Sequence, residues 1–166
     1  MKKPVFTKLT QACVVVDDLD AYMKRYHDEY GIGPWIVLNF NSETVSDMVV
    51  RGKPVNYSMK LALCDALNVQ LEIIEPTDDN SVYAEFLKAH GPGLHHLSFD
   101  TQGYDQVIED LASRGIKETF QGGIDAGGMR FTYMDLTKEL GFVVELFNPP
   151  ENFVPPAPER TYPPQE

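Results

Sequence analysis

Leu9-Thr10-Gln11-Ala12-Cys13-Val14-Val15-Val16-Asp17-Asp18 has an echo in the second half of the chain, Leu94-His95-His96-Leu97-Ser98-Phe99-Asp100-Thr101. Each is a short apolar strand with one polar, metal-capable residue near its start, Gln11 in the first and His96 in the second. Each leads into a helical pattern that ends at a glycine, twenty residues from Gln11 to Gly31 and nineteen from His96 to Gly115. A repeated strand–helix unit predicts two copies of one module, and a pair of modules offers a site between them.

Outward from these stretches the pattern continues. Asp17 or Asp18 can cap a helix on which Leu19, Tyr22, Met23 and Tyr26 recur at i, i+3, i+4 and i+7. Gly31-Ile32-Gly33-Pro34 ends it, and Trp35-Ile36-Val37-Leu38 opens a strand. Residues 41–56 are polar and carry no clear period. Residues 57–63 and 68–74 alternate as strands, with Asp65-Ala66-Leu67-Asn68 as the turn between them. Gln70 and Glu72 share one face, Leu71 and Ile73 the other. Val82, Tyr83, Phe86 and Leu87 predict a short helix before His90-Gly91-Pro92-Gly93, where the second module begins. Its helix carries Val107, Ile108 and Leu111, and residues 130–134 and 141–147 form a closing hairpin. Gly122-Gly123 and Gly127-Gly128 read as a plain turn or lid ahead of it. The order is β-α-β-β-β twice, an α+β fold with a cupped mixed sheet around a central site. One domain is expected over residues 1–148, with modules at about 7–78 and 92–148. Residues 149–166 hold seven prolines and are expected to be an extended tail, wrapped on a partner or disordered.

Composition narrows the function classes. A formal charge of −11 over 166 residues argues against nucleic acid and anionic membrane surfaces as partners. Cys13 and Cys64 sit in apolar runs and are expected to pack as small core residues, and the absence of a CxxC pair excludes a cysteine zinc site. Met1-Lys2-Lys3-Pro4-Val5 lacks the apolar stretch of a signal peptide, and no segment has the length of a membrane span, so a cytoplasmic protein is expected.

Four polar residues occupy matching places in the repeat: Gln11 and His96 on the first strand of each module, Gln70 and Glu145 on the last. A carboxylate or carboxamide flanked by valine and leucine needs a partner, because burying it alone costs several kcal/mol. A divalent metal would supply one, and an imidazole, a carboxylate and two amide oxygens leave a coordination position open. Strand alternation chooses His96 over His95 as the inward residue and turns His95 to the opposite side. Glu72 is open to three roles: lining the cavity, replacing Gln70 as a ligand, or standing in water at the rim.

Three further segments complete a familiar pattern: Gly93-Leu94-His95-His96-Leu97-Ser98-Phe99, Leu71-Glu72-Ile73-Ile74-Glu75-Pro76, and Phe131-Thr132-Tyr133-Met134-Asp135 with Glu139-Leu140-Gly141-Phe142-Val143-Val144-Glu145-Leu146. In order and doubled spacing the chain resembles the vicinal oxygen chelate superfamily of glyoxalases, bleomycin resistance proteins and extradiol dioxygenases. Within it, the chain is most similar to methylmalonyl-CoA epimerase-like and lactoylglutathione lyase-like members. The resemblance implies paired βαβββ modules, a homodimer, and a divalent ion (Zn, Ni, Co, Mn or Fe) on Gln11, Gln70, His96 and Glu145. Gln11 stands where epimerases and bacterial glyoxalases carry histidine, although glyoxalase I enzymes also use glutamine there. Residues 41–56 offer Arg51-Gly52-Lys53 where epimerases place a glutamate base. The implied reaction is proton transfer next to a chelated carbonyl of a small substrate, as in an isomerase, epimerase or glyoxalase-type lyase. Glu145 then serves as ligand and base, with Glu72 the second candidate for the base. The alternatives are a metal-free small-molecule binding or resistance protein, and a ring-cleaving dioxygenase, which Gln11 disfavours because that chemistry needs two histidines and a carboxylate.

Overall fold

The computed structural model describes residues 5–124 and 128–164. Gly127 of the second glycine pair lies outside the described residues. Strand β1 (Phe6–Val15) alternates, sending Cys13 and Val15 to one face and Val14 and Val16 to the other. Helix α1 (Leu19–Tyr30) follows. The Asp18 carboxylate accepts from the Ala21 N–H at its start, and Gly31 at φ 67° closes it in the left-handed conformation that glycine adopts without strain. Its buried Leu19 and Met23 pack on Trp35, Val37, Ala62 and Ile73, forming the outer core of the first module. Trp35 is wholly buried there.

Then come β2 (Trp35–Phe40), β3 (Val45–Val50), β4 (Lys53–Pro54), β5 (Met59–Cys64) and β6 (Gln70–Pro76). Helix α2 (Val82–His90), capped by Ser81, leads to the second module: β7 (Gly93–Thr101), α3 (Tyr104–Ser113), β8 (Glu118–Ile124), β9 (Met129–Leu136) and β10 (Phe142–Asn148). Val107 and Leu111 of α3 pack on Met134, Leu136, Val144 and Leu146, as α1 does on its own module.

With β11 (Arg160–Tyr162) from the tail, the described strands form one sheet in the order β11-β2-β5-β6-β1-β7-β10-β9-β8-β3-β4. Its centre is symmetric. The block β2-β5-β6-β1 meets β7-β10-β9-β8 through antiparallel pairing of β1 with β7. Each module's last strand runs parallel to its first, β6 beside β1 and β10 beside β7. The third core cluster fills the concave face, bringing Cys13 and Val15 against Phe120, Phe131 and Tyr133 from the other module.

Two segments depart from the sequence reading. Residues 41–56 leave their own module to form β3 and β4, and β3 pairs with β8 across the cup. An extra residue between Ser46 and Val49, with Asp47 at φ 49°, makes a β-bulge that breaks the alternation a reader looks for. Gly122 and Gly123 are not a turn or lid; they are paired residues inside β8. A Cβ at Gly122 would come within 2.7 Å of the Phe131 ring and the Tyr57 hydroxyl and 2.8 Å of Val45. Glycine stands there because three side chains close on the backbone. The proline-rich tail ends in β11 (Arg160–Tyr162), which pairs antiparallel with β2.

Candidate metal centre

The register of four central strands assembles the site. On β1 and β7, Gln11 lies opposite Ser98, Ala12 opposite Leu97 and Cys13 opposite His96. On β6, Gln70 lies beside Gln11 and Glu72 beside Cys13; on β10, Val143 lies beside His96 and Glu145 beside Ser98. A two-fold axis through the Ala12–Leu97 pair therefore equates Gln11 with His96, Cys13 with Ser98, and Glu72 with Glu145. Gln70 falls opposite Val143. The phrase Val69-Gln70-Leu71 looks like Val144-Glu145-Leu146, but Leu71-Glu72-Ile73 fits it equally well and matches carboxylate to carboxylate.

The side chains follow this symmetry. His96 is fully buried, Glu145 is 3% and Glu72 7% exposed. His96 Nε2 lies 3.0 Å from Glu145 Oε2 and 3.4 Å from Glu72 Oε2. Donor atoms of Cys13, Glu72 and His96 lie within 4.8 Å of one another. Ser98 Oγ donates to Glu145 Oε2, and it stands 3.0 Å from Gln11 Oε1. Gln70 is drawn away. It accepts from Gln11 Nε2 at 2.7 Å and donates to Asp65 at 2.9 Å, so it braces Gln11 from the rim. Glu72 is a buried member of the cluster rather than a rim residue in water.

Both histidines of the doublet face inward. Cys13 pairs with His96 but Val14 pairs with Leu94, so His95 is the extra residue of a bulge and escapes the alternation that would have turned it out. Its Nδ1 lies 3.0 Å from His96 Nδ1, and its ring packs against Tyr83 and Phe86. Burial and the neighbouring His96 push His95 down to about 3, so it is a neutral acceptor for the His96 Nδ1–H. A hydrogen bond of this kind orients a ligand histidine and leaves Nε2 for a metal. Sequence alternation missed His95, and a doublet in a strand is the one signal that a bulge could have been read from.

The charges are unbalanced. Burial opposes the His96 charge, yet Glu145 and Glu72 hold it up at about 9. Burial raises Glu72, Glu145 raises it further, and His96 opposes both. Two carboxyl groups converge on one imidazole in a buried site, and among the described residues Glu72 Oε2 has no hydrogen-bond partner. A divalent cation with a neutral imidazole would cancel the charge and give that oxygen a partner. The donor set of one imidazole, two carboxylates and the Gln11 amide oxygen fits such an ion.

The metal-free protein should therefore be pH-sensitive. His96 binds its proton more tightly folded than unfolded, so its stabilisation is complete below 6.5 and disappears as pH rises through about 9. Glu72, also raised, acts in the same direction. Denaturation of chelator-treated protein is expected to show stability falling by a few kcal/mol across that window. A flat profile would remove the charge argument.

The cavity beside the cluster measures about 560 Å³ and is bounded by Gln11, Gln70 and Glu72 on one side. A larger groove of about 1020 Å³, between α3 and the β3–β4 hairpin, reaches none of the clustered groups. Among the described residues no helix is long and apolar enough to cross a membrane.

Comparison with known proteins agrees with this architecture. The chain is 30% identical over 95 residues to the uncharacterized protein YqjC of Bacillus subtilis (strain 168), a match covering 55% of this chain and 66% of that protein. The methylmalonyl-CoA epimerase of Mycobacterium tuberculosis superposes with a TM-score of 0.60 at 22% identity, covering 90% of this chain and 93% of the other. A single-residue variant of the Streptomyces coelicolor methylmalonyl-CoA epimerase, in complex with 2-nitronate-propionyl-CoA, gives 0.62 at 21% identity, with 90% and 99% covered. At these identities the solved structures establish the fold and not the reaction. A family model for the Glyoxalase/Bleomycin resistance protein/Dioxygenase superfamily matches residues 10–133, which take in both copies of the repeat and three of the four clustered side chains. With the duplicated strands, the central pairing and the family match in agreement, the chain belongs to that superfamily.

Proposed function

We propose that the chain is a metal-dependent isomerase, epimerase or glyoxalase-type lyase that moves a proton next to the carbonyl of a small substrate. The observation that carries this reading is Glu72 Oε2, a buried carboxylate oxygen without a hydrogen-bond partner among the described residues, set beside His96 and Glu145. In this reading Gln11, Glu72, His96 and Glu145 hold a divalent ion (Zn, Ni, Co, Mn or Fe). Gln70, which the resemblance implied as a ligand, instead aims the Gln11 amide. A bound divalent ion supplies a Lewis acid that polarises the substrate carbonyl and acidifies the neighbouring C–H.

The rest is the work of the side chains. Glu72 and Glu145 come from opposite modules and approach from the two sides of the axis. One carboxylate takes the α-proton and the other returns a proton from the opposite face, which inverts or relocates the centre. Without the ion, burial and the neighbouring Glu145 raise Glu72 above the usual carboxylate range, which favours proton uptake there. His95 and Ser98 hold His96 and Glu145 in place. A homodimer, which the resemblance implies, working in the cytoplasm completes the proposal.

Elemental analysis and proton exchange test it. Untagged protein is expected to hold close to one equivalent of metal and to exchange the α-protons of a simple α-hydroxyketone in deuterated water. Glu72→Gln, which keeps the shape, is expected to slow exchange by about 10²–10⁴-fold. Protein that stays empty after soaking with each of the five metals would instead be a metal-free binding protein.

A further inference from the structure

We infer that the proline-rich tail is a wall of the substrate cavity, and that it restricts the substrate to a small, uncharged, largely apolar carbonyl compound, an aryl ketone in type. The inference deepens the proposed reaction and rests on it for the carbonyl alone.

The tail leaves β10 at Asn148 and returns to the sheet at β11, on the far side of the first module. Both ends are tied. Phe153 N–H donates to Pro150 O at 3.0 Å in a turn, and Glu159 N–H donates to Val37 O at 2.8 Å where pairing begins. Arg160 pairs with Asp20 of α1, and the Tyr162 ring stands edge-on to His27 at 5.6 Å. Between the ties, prolines restrict the backbone and remove donors, giving a stiff segment. Phe153 turns inward and is half-buried, while Val154 is 66% exposed.

The cavity is consequently built from two sources. Leu61, Leu63 and Phe147 come from the sheet; Phe153, Pro155 and Pro156 come from the tail. Its volume of about 560 Å³ suits a small molecule. Charge then decides the class. Among the described residues Lys8 is the one cationic side chain on the lining, against Glu72, Asp65 and Asp100. A coenzyme A ester brings a 3′-phosphate and a diphosphate, and a glutathione adduct brings carboxylates, all of which need cationic partners. Neither finds them among the described lining residues, and the chain as a whole carries −11. An aromatic or aliphatic body does find partners, in the leucines and in Phe153.

Isothermal titration of the metal-loaded protein with α-hydroxyacetophenone and, separately, propionyl-CoA tests this. The ketone is expected to bind saturably to the parent, about tenfold more weakly to Phe153→Ala, and within threefold of the parent to Phe153→Leu. Propionyl-CoA is expected to give no saturable heat. Equal ketone affinity in the parent and Phe153→Ala, absence of saturable ketone binding, or tighter binding of propionyl-CoA would overturn the assignment. Binding is read without turnover, so the two proposals separate. Phe153-dependent ketone binding without proton exchange would sink the reaction and leave the wall standing. Exchange on the CoA ester would do the reverse.

Discussion

His96→Ala is expected to emerge from purification without metal and with a markedly lowered melting temperature. His96 supplies the cluster's nitrogen donor and its one positive charge, and it is fully buried. Its removal leaves Glu72 and Glu145 facing each other in a dry site with nothing between them, and Tyr133 Oη loses the nitrogen 3.4 Å away. Breaking a buried charge set by deleting one partner costs about 3–5 kcal/mol. Glu72, already raised by burial and by Glu145, takes up a proton more readily in response, so part of the loss should be recovered as the pH is lowered. Glu145→Ala should also lose metal, and it additionally removes one of the two acceptors of Ser98 Oγ, leaving Gln11 Oε1. Elemental analysis beside a thermal melt separates the two effects. Equal metal in the parent and both variants would show that the ion, where present, sits elsewhere.

The second large effect is expected far from any charge. Gly122→Ala adds one methyl where the Phe131 ring, the Tyr57 hydroxyl and Val45 already stand 2.7–2.8 Å from its position. Phe131 and Val45 belong to strands on either side of β8, so neither can retreat without opening a ladder. Overpacking of this kind costs about 1–3 kcal/mol, and the upper end applies where three neighbours are rigid. For a chain of this size that is a drop of about 6–10 °C in melting temperature. Gly123→Ala is the control. Its nearest neighbour is Ser46 Oγ at 2.9 Å, the end of a side chain that can rotate, so its cost should be well under half. Similar midpoints for the two variants would mean that β3 is not held against β8 as tightly as the geometry requires.

What could be read from the sequence, and what could not, divides along a physical line. The repeat, a helix cap at Asp17 or Asp18 and the inward faces of Gln11, His96 and Glu145 could be read, because each polar residue stands among apolar neighbours at matching places in the two copies; the cap is Asp18. Three features escaped because alternation fails locally. The bulge at Asp47 concealed β3, and the bulge at His95 turned a second imidazole inward. Gly122 and Gly123 resemble a turn until the crowding around them is known. The fourth, the equivalence of Glu72 with Glu145, is a matter of strand register. It depends on which residues of β6 lie beside β1, and the unequal loop between the two copies hides that from counting. Nothing in the tail's composition predicts which strand it joins, because proline describes a segment's stiffness and not its destination.

The strands at the two margins of the sheet have a consequence for how copies of this protein meet. One margin is β4, two residues ending at Pro54; the other is β11, three residues followed by Pro163 and Pro164. Each offers too few free amides, beside prolines with none, to template a further strand. The sheet is thus blunted against growth by strand addition, the route by which open β-structures polymerise. Copies of this protein therefore find little template for strand addition on β4 or β11 themselves.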